Sequence, residues 1–316
     1  MTARRPLLHW LLLFALVAMW GSAFLFTKIA VAALAPADLV AGRFVLASAV
    51  LLGLLAATRR RLPSGGRLWL FLLAIALTGN CIPFWLIAWG QQEIDSGLAG
   101  ILMAIMPLTT VMLAHFFVAG ERLNRFKALG FLLGFLGIVV LIGPAALLEI
   151  QVGGTVLVSQ LAVLGGAVCY AISAIIARHR PPSDALVAAV GVTLLACLIT
   201  LPVSAADGLP DLSAVPAPAL IALLVLGIVC TATATVVYFK LIALAGPSFL
   251  SLINYLIPAW AVLIGMVFLG ERPEWTALAG LAFILAGIAL AETKGRRVIE
   301  PGAGRTIPLD ARNDRP

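Results

Sequence analysis

Residues 67–89 read RLWLFLLAIALTGNCIPFWLIAW, an apolar run with Gly79, Asn80 and Pro83 at its middle. A helix of about 20 apolar residues crosses a hydrocarbon core roughly 30 Å thick. Pro83 cannot donate a hydrogen bond to the carbonyl of Gly79, so the sequence predicts a helix break there. A bare carbonyl persists at membrane depth only against protein or a water-filled cavity. We therefore expect this break to line a cavity, the alternative being a kink buried between helices.

The composition of the whole chain is that of an integral membrane protein. Its 316 residues are 62% hydrophobic and 11% charged, whereas soluble domains are roughly 45–50% apolar and about 25% charged. The apolar runs are about 20 residues long and do not alternate by two, which predicts membrane helices and not barrel strands. The four cysteines fall in apolar segments without CxxC spacing and are interpreted as small buried hydrophobes.

Hydropathy predicts ten transmembrane helices and an all-α integral membrane fold. The predicted spans are 8–30, 37–57, 67–89, 97–118, 126–143, 159–178, 184–205, 217–241, 248–269 and 275–293. The first span is too long for a cleaved signal peptide and is taken as a retained helix. Residues 298–316 are polar and contain Pro and Gly, which predicts a disordered cytoplasmic tail.

The distribution of basic residues predicts the orientation in the membrane. Most of the 21 lysine and arginine residues fall in the loops on the side of the termini. Lys28 and Arg272 fall on the other side, and Arg43 lies within a span. The positive-inside rule places both termini in the cytoplasm. We expect a multi-pass protein of the bacterial plasma (inner) membrane, with the lipid bilayer and a small solute as its partners and no nucleic acid.

The chain contains an internal repeat. PLTTVMLAHFFVAGE (107–121) resembles PAWAVLIGMVFLGE (258–271), and Trp20 and Lys28 align with Tyr170 and Arg178, 150 positions later. Each half has five spans, so the second half enters the membrane in the opposite sense. Inverted repeats are typical of transporters, although duplication could also have produced only a larger bundle.

These features resemble the EamA family of the drug/metabolite transporter superfamily over about residues 8–293. The resemblance rests on WGSAF (20–24), AGRF (41–44), GERL (120–123) and GERP (270–273), with a departure at Pro273, where the family often has Leu. It implies two five-helix repeats, 8–143 and 159–293, around a central substrate cavity. It also implies export of amino acids or other small metabolites.

Polar and aromatic residues near the middle of the spans are candidates for lining that cavity. CTATAT (230–235) occupies the position of the Gly79–Pro83 break in the second half and offers the hydroxyls of Thr231, Thr233 and Thr235. The predicted cavity residues are Trp20, Asn80, Trp85, Tyr170, Thr231, Tyr238, Asn254, Tyr255 and Trp260. The predicted helix-break or gating residues are Gly79, Pro83, Pro107 and Pro258. Interhelical packing is the alternative role for Asn254, Trp20 and Tyr170.

Three basic residues are predicted either to lie near the solute pathway or to stabilise the fold. Arg43 is an intramembrane charge, which marks a functional site by default. It could bind a substrate carboxylate, extend toward the membrane surface or pair with Asp38. The resemblance implies an Arg at this motif across varied substrates, which favours a structural role. Lys28 and Arg178 are expected near opposite mouths of the cavity.

The sequence favours a carrier over other membrane proteins. No HExxH, GxSxG or Walker motif is present and no catalytic or metal-binding set lies within the spans, so neither an enzyme nor a cofactor is expected. A non-transporting partner or receptor and a channel-like facilitator remain alternatives. All fourteen acidic residues fall in loops, in the tail or at span ends, which favours facilitated or exchange transport. Few charges in the cavity favour a neutral or zwitterionic solute. A monomer is expected and a dimer is possible.

Overall fold

A computed structural model describes residues 6–63, 65–121, 123–142, 155–206, 208 and 210–292. Its main elements are α1 (Leu7–Val31), α2 (Pro36–Ala57), α3 (Gly66–Gly90), α4 (Ser96–Phe117), α5 (Arg125–Ile142), α6 (Val156–His179), α7 (Ala185–Ala205), α8 (Ala217–Ala245), α9 (Ile253–Leu269) and α10 (Trp275–Glu292). The all-α membrane fold is thus confirmed. The predicted tail, 298–316, lies outside the described residues.

The predicted ninth span is not one helix. A short helix, Pro247–Leu250, precedes α9, which has 17 residues and is the shortest of the ten. In the described chain the other nine helices are each long and apolar enough to cross a membrane. Gly246 separates α8 from the short helix with φ of 79°, a left-handed conformation that glycine adopts at low cost. The turn at Gly246 falls between the predicted spans 217–241 and 248–269, and a second turn at Ser251 and Leu252 divides the predicted span 248–269.

The two ends of the bundle differ in charge. One end, here the basic end, carries Arg60, Arg67, Lys127, Arg178 and Lys240. The opposite, acidic end carries the six acidic residues Asp38, Glu93, Asp95, Asp211, Glu271 and Glu274, together with Lys28 and Arg272. Successive spans alternate between these ends, so α1 starts at the basic end and α6 starts at the acidic end. The two halves therefore run in opposite senses.

Helix contacts follow the same two-fold relation. α1 packs on α8 and α9, and correspondingly α6 packs on α3 and α4. α2 packs on α7, and α5 packs on α10. Exchanging each helix for its equivalent in the other half leaves this pattern unchanged. The relation is broken in α4, whose first part, Ser96–Met103, packs on α9, whereas Met106–Phe117 packs on α5 and α6.

α3 and α8 each contain a π-helical segment at matching depth. The segments are Leu77–Cys81 in α3 and Val225–Thr233 in α8. The break predicted at Pro83 is therefore a widened turn inside a continuous helix. A π turn accommodates the missing proline donor and keeps backbone groups paired inside the membrane. Gly79 also allows close packing on α6, because a Cβ there would lie 3.2 Å from the Cβ of Ser173.

Glycines join α5 to α10. Gly130, Gly134 and Gly137 of α5 face Gly280 and Gly287 of α10, and all five are buried. Gly130 lies near Gly287 and Gly137 near Gly280, so the two helices are antiparallel. Small residues let membrane helices approach closely enough for backbone contact.

A methyl group at this interface should destabilise the bundle. A Cβ on Gly137 would lie 2.7 Å from the carbonyl oxygen of Gly280, so Gly137→Ala should lower the free energy of unfolding by roughly 1–3 kcal/mol. Thermal unfolding of the detergent-purified protein measures the change. Gly53→Ala is the control, because a Cβ there meets nothing within 4 Å. Equal unfolding temperatures for the two variants would contradict this account of the interface.

Candidate functional site

A cavity of about 490 Å³ lies between the two halves. Its walls come from α1, α2, α3, α4, α6, α8, the short helix and α9, whereas α5, α7 and α10 contribute no lining residue. The cavity extends from Thr27, Ile87 and Gly100 toward the basic end, where Pro247 and Leu250 line it. This volume suits a small metabolite.

Aromatic rings form two parts of the wall. Trp20 of α1 lies 5.4 Å from Tyr238 of α8 between ring centroids. Phe84 of α3 lies 6.1 Å from Tyr170 of α6 and stacks on Phe44 at 5.3 Å. Trp20, Tyr170 and Tyr238, three of the predicted cavity residues, therefore line the same space.

The two π segments supply polar groups to the cavity. Gly79 and Asn80 line it from α3, and Thr231 and Thr235 line it from α8. The Thr231 and Thr233 hydroxyls donate to carbonyls five residues back, at 2.8 Å and 2.9 Å. These bonds match the wider π turn and account for its presence in α8 without a proline. Thr233 is exposed and is not among the lining residues.

Among the residues that the structure describes, Arg43 is the only basic one that lines the cavity. It is 8% exposed. Its Nε donates to Thr231 Oγ1 at 2.7 Å, and its guanidinium lies 4.1 Å from the centre of the Phe84 ring. The pairing with Asp38 considered from the sequence is wrong, because Asp38 instead accepts a hydrogen bond from Ser204.

The structure places three predicted cavity residues elsewhere. Trp85 is 42% exposed on the outer face of α3 and stacks with Trp89. Trp260 packs on Gly21, and its indole donates to Ser22 Oγ at 3.0 Å. Tyr255 packs against the apolar core beside α10. Successive helix residues point about 100° apart, so the neighbours of these residues can line the cavity while they do not.

The predicted gating prolines divide in the same way. Pro107 and Pro258 line the cavity together with Asn254. Pro107 follows a turn at residues 104–105 that interrupts α4, whereas α9 continues through Pro258. Pro83 is buried and lies outside the lining set, with its carbonyl beside Gly166 of α6. Its effect on the cavity is therefore indirect, through the π turn before it.

Hydrogen bonds connect the helices at the acidic end. Glu271 accepts from the backbone N–H groups of Ser96 at 2.7 Å and Gly97 at 2.9 Å. This carboxylate satisfies free donors at the start of α4, where the helix dipole favours negative charge. Lys28 donates to the Gln91 carbonyl at 2.9 Å, and the Gln91 side chain donates to the Phe24 carbonyl at 2.9 Å. The Glu271 bonds thus link α4 to the residues after α9, and the Gln91 bonds link α1 to the residue after α3.

Two carboxyl groups at the bundle ends have shifted pKa values. Burial and the nearby Glu271 raise the pKa of Asp95 at the acidic end, and Lys28 partly opposes them. The hydrogen bond from Arg178 lowers the pKa of Glu121 at the basic end. Arg178 also forms an ion pair with Glu121, which lies 3.7 Å from Lys127. Lys28 and Arg178 thus lie at opposite ends of the bundle, outside the cavity wall.

Sequence reasoning missed several contributors. Glu271 was noted as part of a repeated Gly-Glu-Arg motif, but its contact with the start of α4 was not foreseen. The repetition of Glu121 by Glu271 was the available signal. Phe84, Met103 and Met106 also line the cavity, and nothing distinguishes them in sequence from other apolar residues of their spans.

Comparisons with known proteins agree with this architecture. The sequence model of the EamA-like transporter family matches residues 8–143 and 157–293. The uncharacterized inner membrane transporter YedA of Escherichia coli K12 is 26% identical over 88% of this chain and 89% of its own length. A probable terminal-alkyne amino-acid exporter of Streptantibioticus cattleyicolor is 27% identical over 89% of this chain and 93% of its own.

A solved crystal structure shows the same fold. It superposes with a TM-score of 0.65 at 22% identity, covering 91% of this chain and 98% of the other. The family match covers both five-helix halves that enclose the cavity. The chain therefore belongs to the EamA-like transporter family.

Proposed function

We propose that this protein exports small metabolites, namely amino acids or similar neutral or zwitterionic solutes, by alternating access. The observation that carries the proposal is a metabolite-sized cavity between inverted halves, closed at one end and extending toward the other. The name of the Streptantibioticus cattleyicolor relative supports amino acids as the solute class. The charge difference between the ends supports cytoplasmic termini, and the name of YedA supports an inner membrane location.

The contacts of α4 and α9 support the two-state mechanism. Gly100 meets Ala261 and Gly97 meets Val262 near the acidic end, with a Cβ on Gly97 lying 3.2 Å from Val262 Cα. Toward the basic end, α4 turns to pack on α5 and α6. Because α4 and α9 are equivalent helices of inverted halves, the opposite state would separate them at the acidic end and join them at the basic end.

A carrier accounts for the described residues better than an enzyme, a receptor or a channel. The cavity wall contains no acidic residue within the described chain. Because no carboxylate there can carry protons, exchange or facilitated transport is favoured over proton coupling. One chain supplies the whole wall, so a monomer suffices. The hydrogen bonds of Glu271 to the start of α4 hold the helices together at the acidic end, which argues against a continuously open pore.

Counterflow in liposomes tests the proposal. Vesicles preloaded with a mixed pool of amino acids, nucleobases and small amines should accumulate labelled external solute of the same kind. Accumulation should be unchanged by a pH gradient, since no lining carboxylate is available to carry the proton. Flux without counterflow would favour a channel. Absence of flux for every solute in the pool would favour the non-transporting partner, and gradient-driven accumulation would contradict the uncoupled mechanism.

Neutralising the carboxylate at the start of α4 should loosen the acidic end. A charge at a helix N-terminus contributes roughly 0.3–1 kcal/mol, so Glu271→Gln should raise labelling of the cavity roughly two- to fivefold. Cys230 lines the cavity and serves as the reporter after the other three cysteines are replaced by alanine. An impermeant thiol reagent is added to intact cells, where the acidic end is proposed to face outward.

Glu274→Gln is the matched control. Glu274 lies three positions after Glu271 at the same end of the bundle. Its carboxylate accepts a hydrogen bond from the exposed Thr276 hydroxyl. Labelling of Cys230 in this variant should equal that of the parent. If both variants label alike, Glu271 does not hold the acidic end closed.

A further inference from the structure

Arg43 presents an unused hydrogen-bonding edge to the cavity. A guanidinium has five N–H donors, and the bond found for Arg43 uses only Nε, with Thr231 as acceptor. Within the described residues no carboxylate lies within ion-pair distance of Arg43. The terminal amino groups are therefore left to the cavity that Arg43 lines.

The surroundings of Arg43 hold its plane in place. The Thr231 hydroxyl accepts from Nε and donates to the Leu226 carbonyl, so its own orientation is fixed. The Phe84 ring covers one face of the guanidinium at 4.1 Å. α2 and α8 are close here, since a Cβ on Gly227 would lie 3.1 Å from the Arg43 carbonyl oxygen. The arginine is thus preorganised and cannot swing to the acidic end without losing these contacts.

A preorganised cation without an anion is costly inside a membrane protein. Desolvation of a buried charge is strongly unfavourable unless a partner compensates it. The two terminal amino groups of arginine match the two oxygens of a carboxylate and form parallel hydrogen bonds with them. The missing partner is therefore expected to arrive with the solute.

The charge of the wall limits the solute further. Arg43 contributes the only charge among the lining residues that the structure describes. One carboxylate would neutralise it, whereas a solute with several negative charges would remain uncompensated. An ammonium group would find only neutral acceptors such as Asn80 and Asn254, and the faces of Trp20 and Tyr238. Nothing in the wall requires the ammonium.

We infer that Arg43 binds the carboxylate of the transported solute, and that the cavity selects monocarboxylates with or without an amino group, which extends the proposed solutes to singly charged anions. This inference rests on the proposed function, because it assigns a chemical class to the solute of the same cavity. Aromatic and apolar walls accommodate the rest of the molecule. Phenylalanine, 3-phenylpropionate and 2-phenylethylamine are suitable probes, because they share one ring and differ in which charged groups they carry.

Binding of these probes to the purified protein tests the inference without requiring transport. Calorimetry should detect phenylalanine and 3-phenylpropionate at millimolar concentration or below, and 2-phenylethylamine should bind at least about tenfold more weakly, since a hydrogen bond to a charged group contributes roughly 1.5–3 kcal/mol. Failure of both carboxylates to bind would overturn the inference, as would equal binding of the amine. Absence of transport despite selective binding would contradict the proposed function alone.

Substitution of Arg43 distinguishes a role in binding the carboxylate from a purely structural role. Arg43→Gln should weaken binding of both carboxylates about tenfold or more and should not weaken binding of the amine, because the substitution removes a like charge, whereas loss of a purely structural arginine would weaken all three probes alike. Arg43→Lys keeps the charge without the planar edge and should give an intermediate loss, which preserves the test if the glutamine variant does not fold. Arg60→Gln, at the exposed ion pair with Asp184, is the control and should bind as the parent does.

Discussion

Backbone hydrogen bonding inside the hydrocarbon core is the constraint on which this structure depends. No water is available there to pair with a free N–H or C=O group, so each span must satisfy its own backbone. α3 nevertheless contains a proline, and α8 carries three threonines at the same depth. Both helices respond with a π segment, which widens the turn without ending the helix. Asn80 and Thr231, one polar residue from each segment, line the cavity.

The inverted repeat determines which helices pack together. The α4–α9 contact departs from this symmetry and defines the conformation that the structure shows. α4 and α9 are equivalent helices, yet they contact each other near the acidic end only through the first part of α4. Glu271 reinforces that contact through backbone donors, whereas its counterpart Glu121 forms an ion pair with Arg178. The same repeated motif thus makes two different contacts in one structure. In the proposed alternating-access cycle, exchange of these two contacts would move the opening of the cavity from one end to the other.

Span positions were predictable from sequence because hydropathy depends on composition along the chain. The predicted starts of α1 and α10 differ from those of the structure by at most one residue, and the helical class was correct. The facing of individual residues was much less predictable. These helices are apolar all round, so no polar stripe reveals which side faces inward. Asn254 and Tyr255 are neighbours and looked equally suitable, but only Asn254 lines the cavity. Each π turn also rotates the direction in which the following side chains point, and the 3.6-residue periodicity of the sequence does not predict that rotation.

The glycine contact between α5 and α10 serves helix packing, and it lies apart from the residues that form the cavity wall. These helices meet largely through backbone atoms and contribute nothing to the cavity wall. The residues of the α5–α10 contact are therefore different from those that line the cavity. Substitutions in α1, α3, α6 or α8 can alter the wall while the α5–α10 contact stays intact. A gene that encodes such a bundle can acquire a new solute preference through few changes, and divergent copies can retain one scaffold.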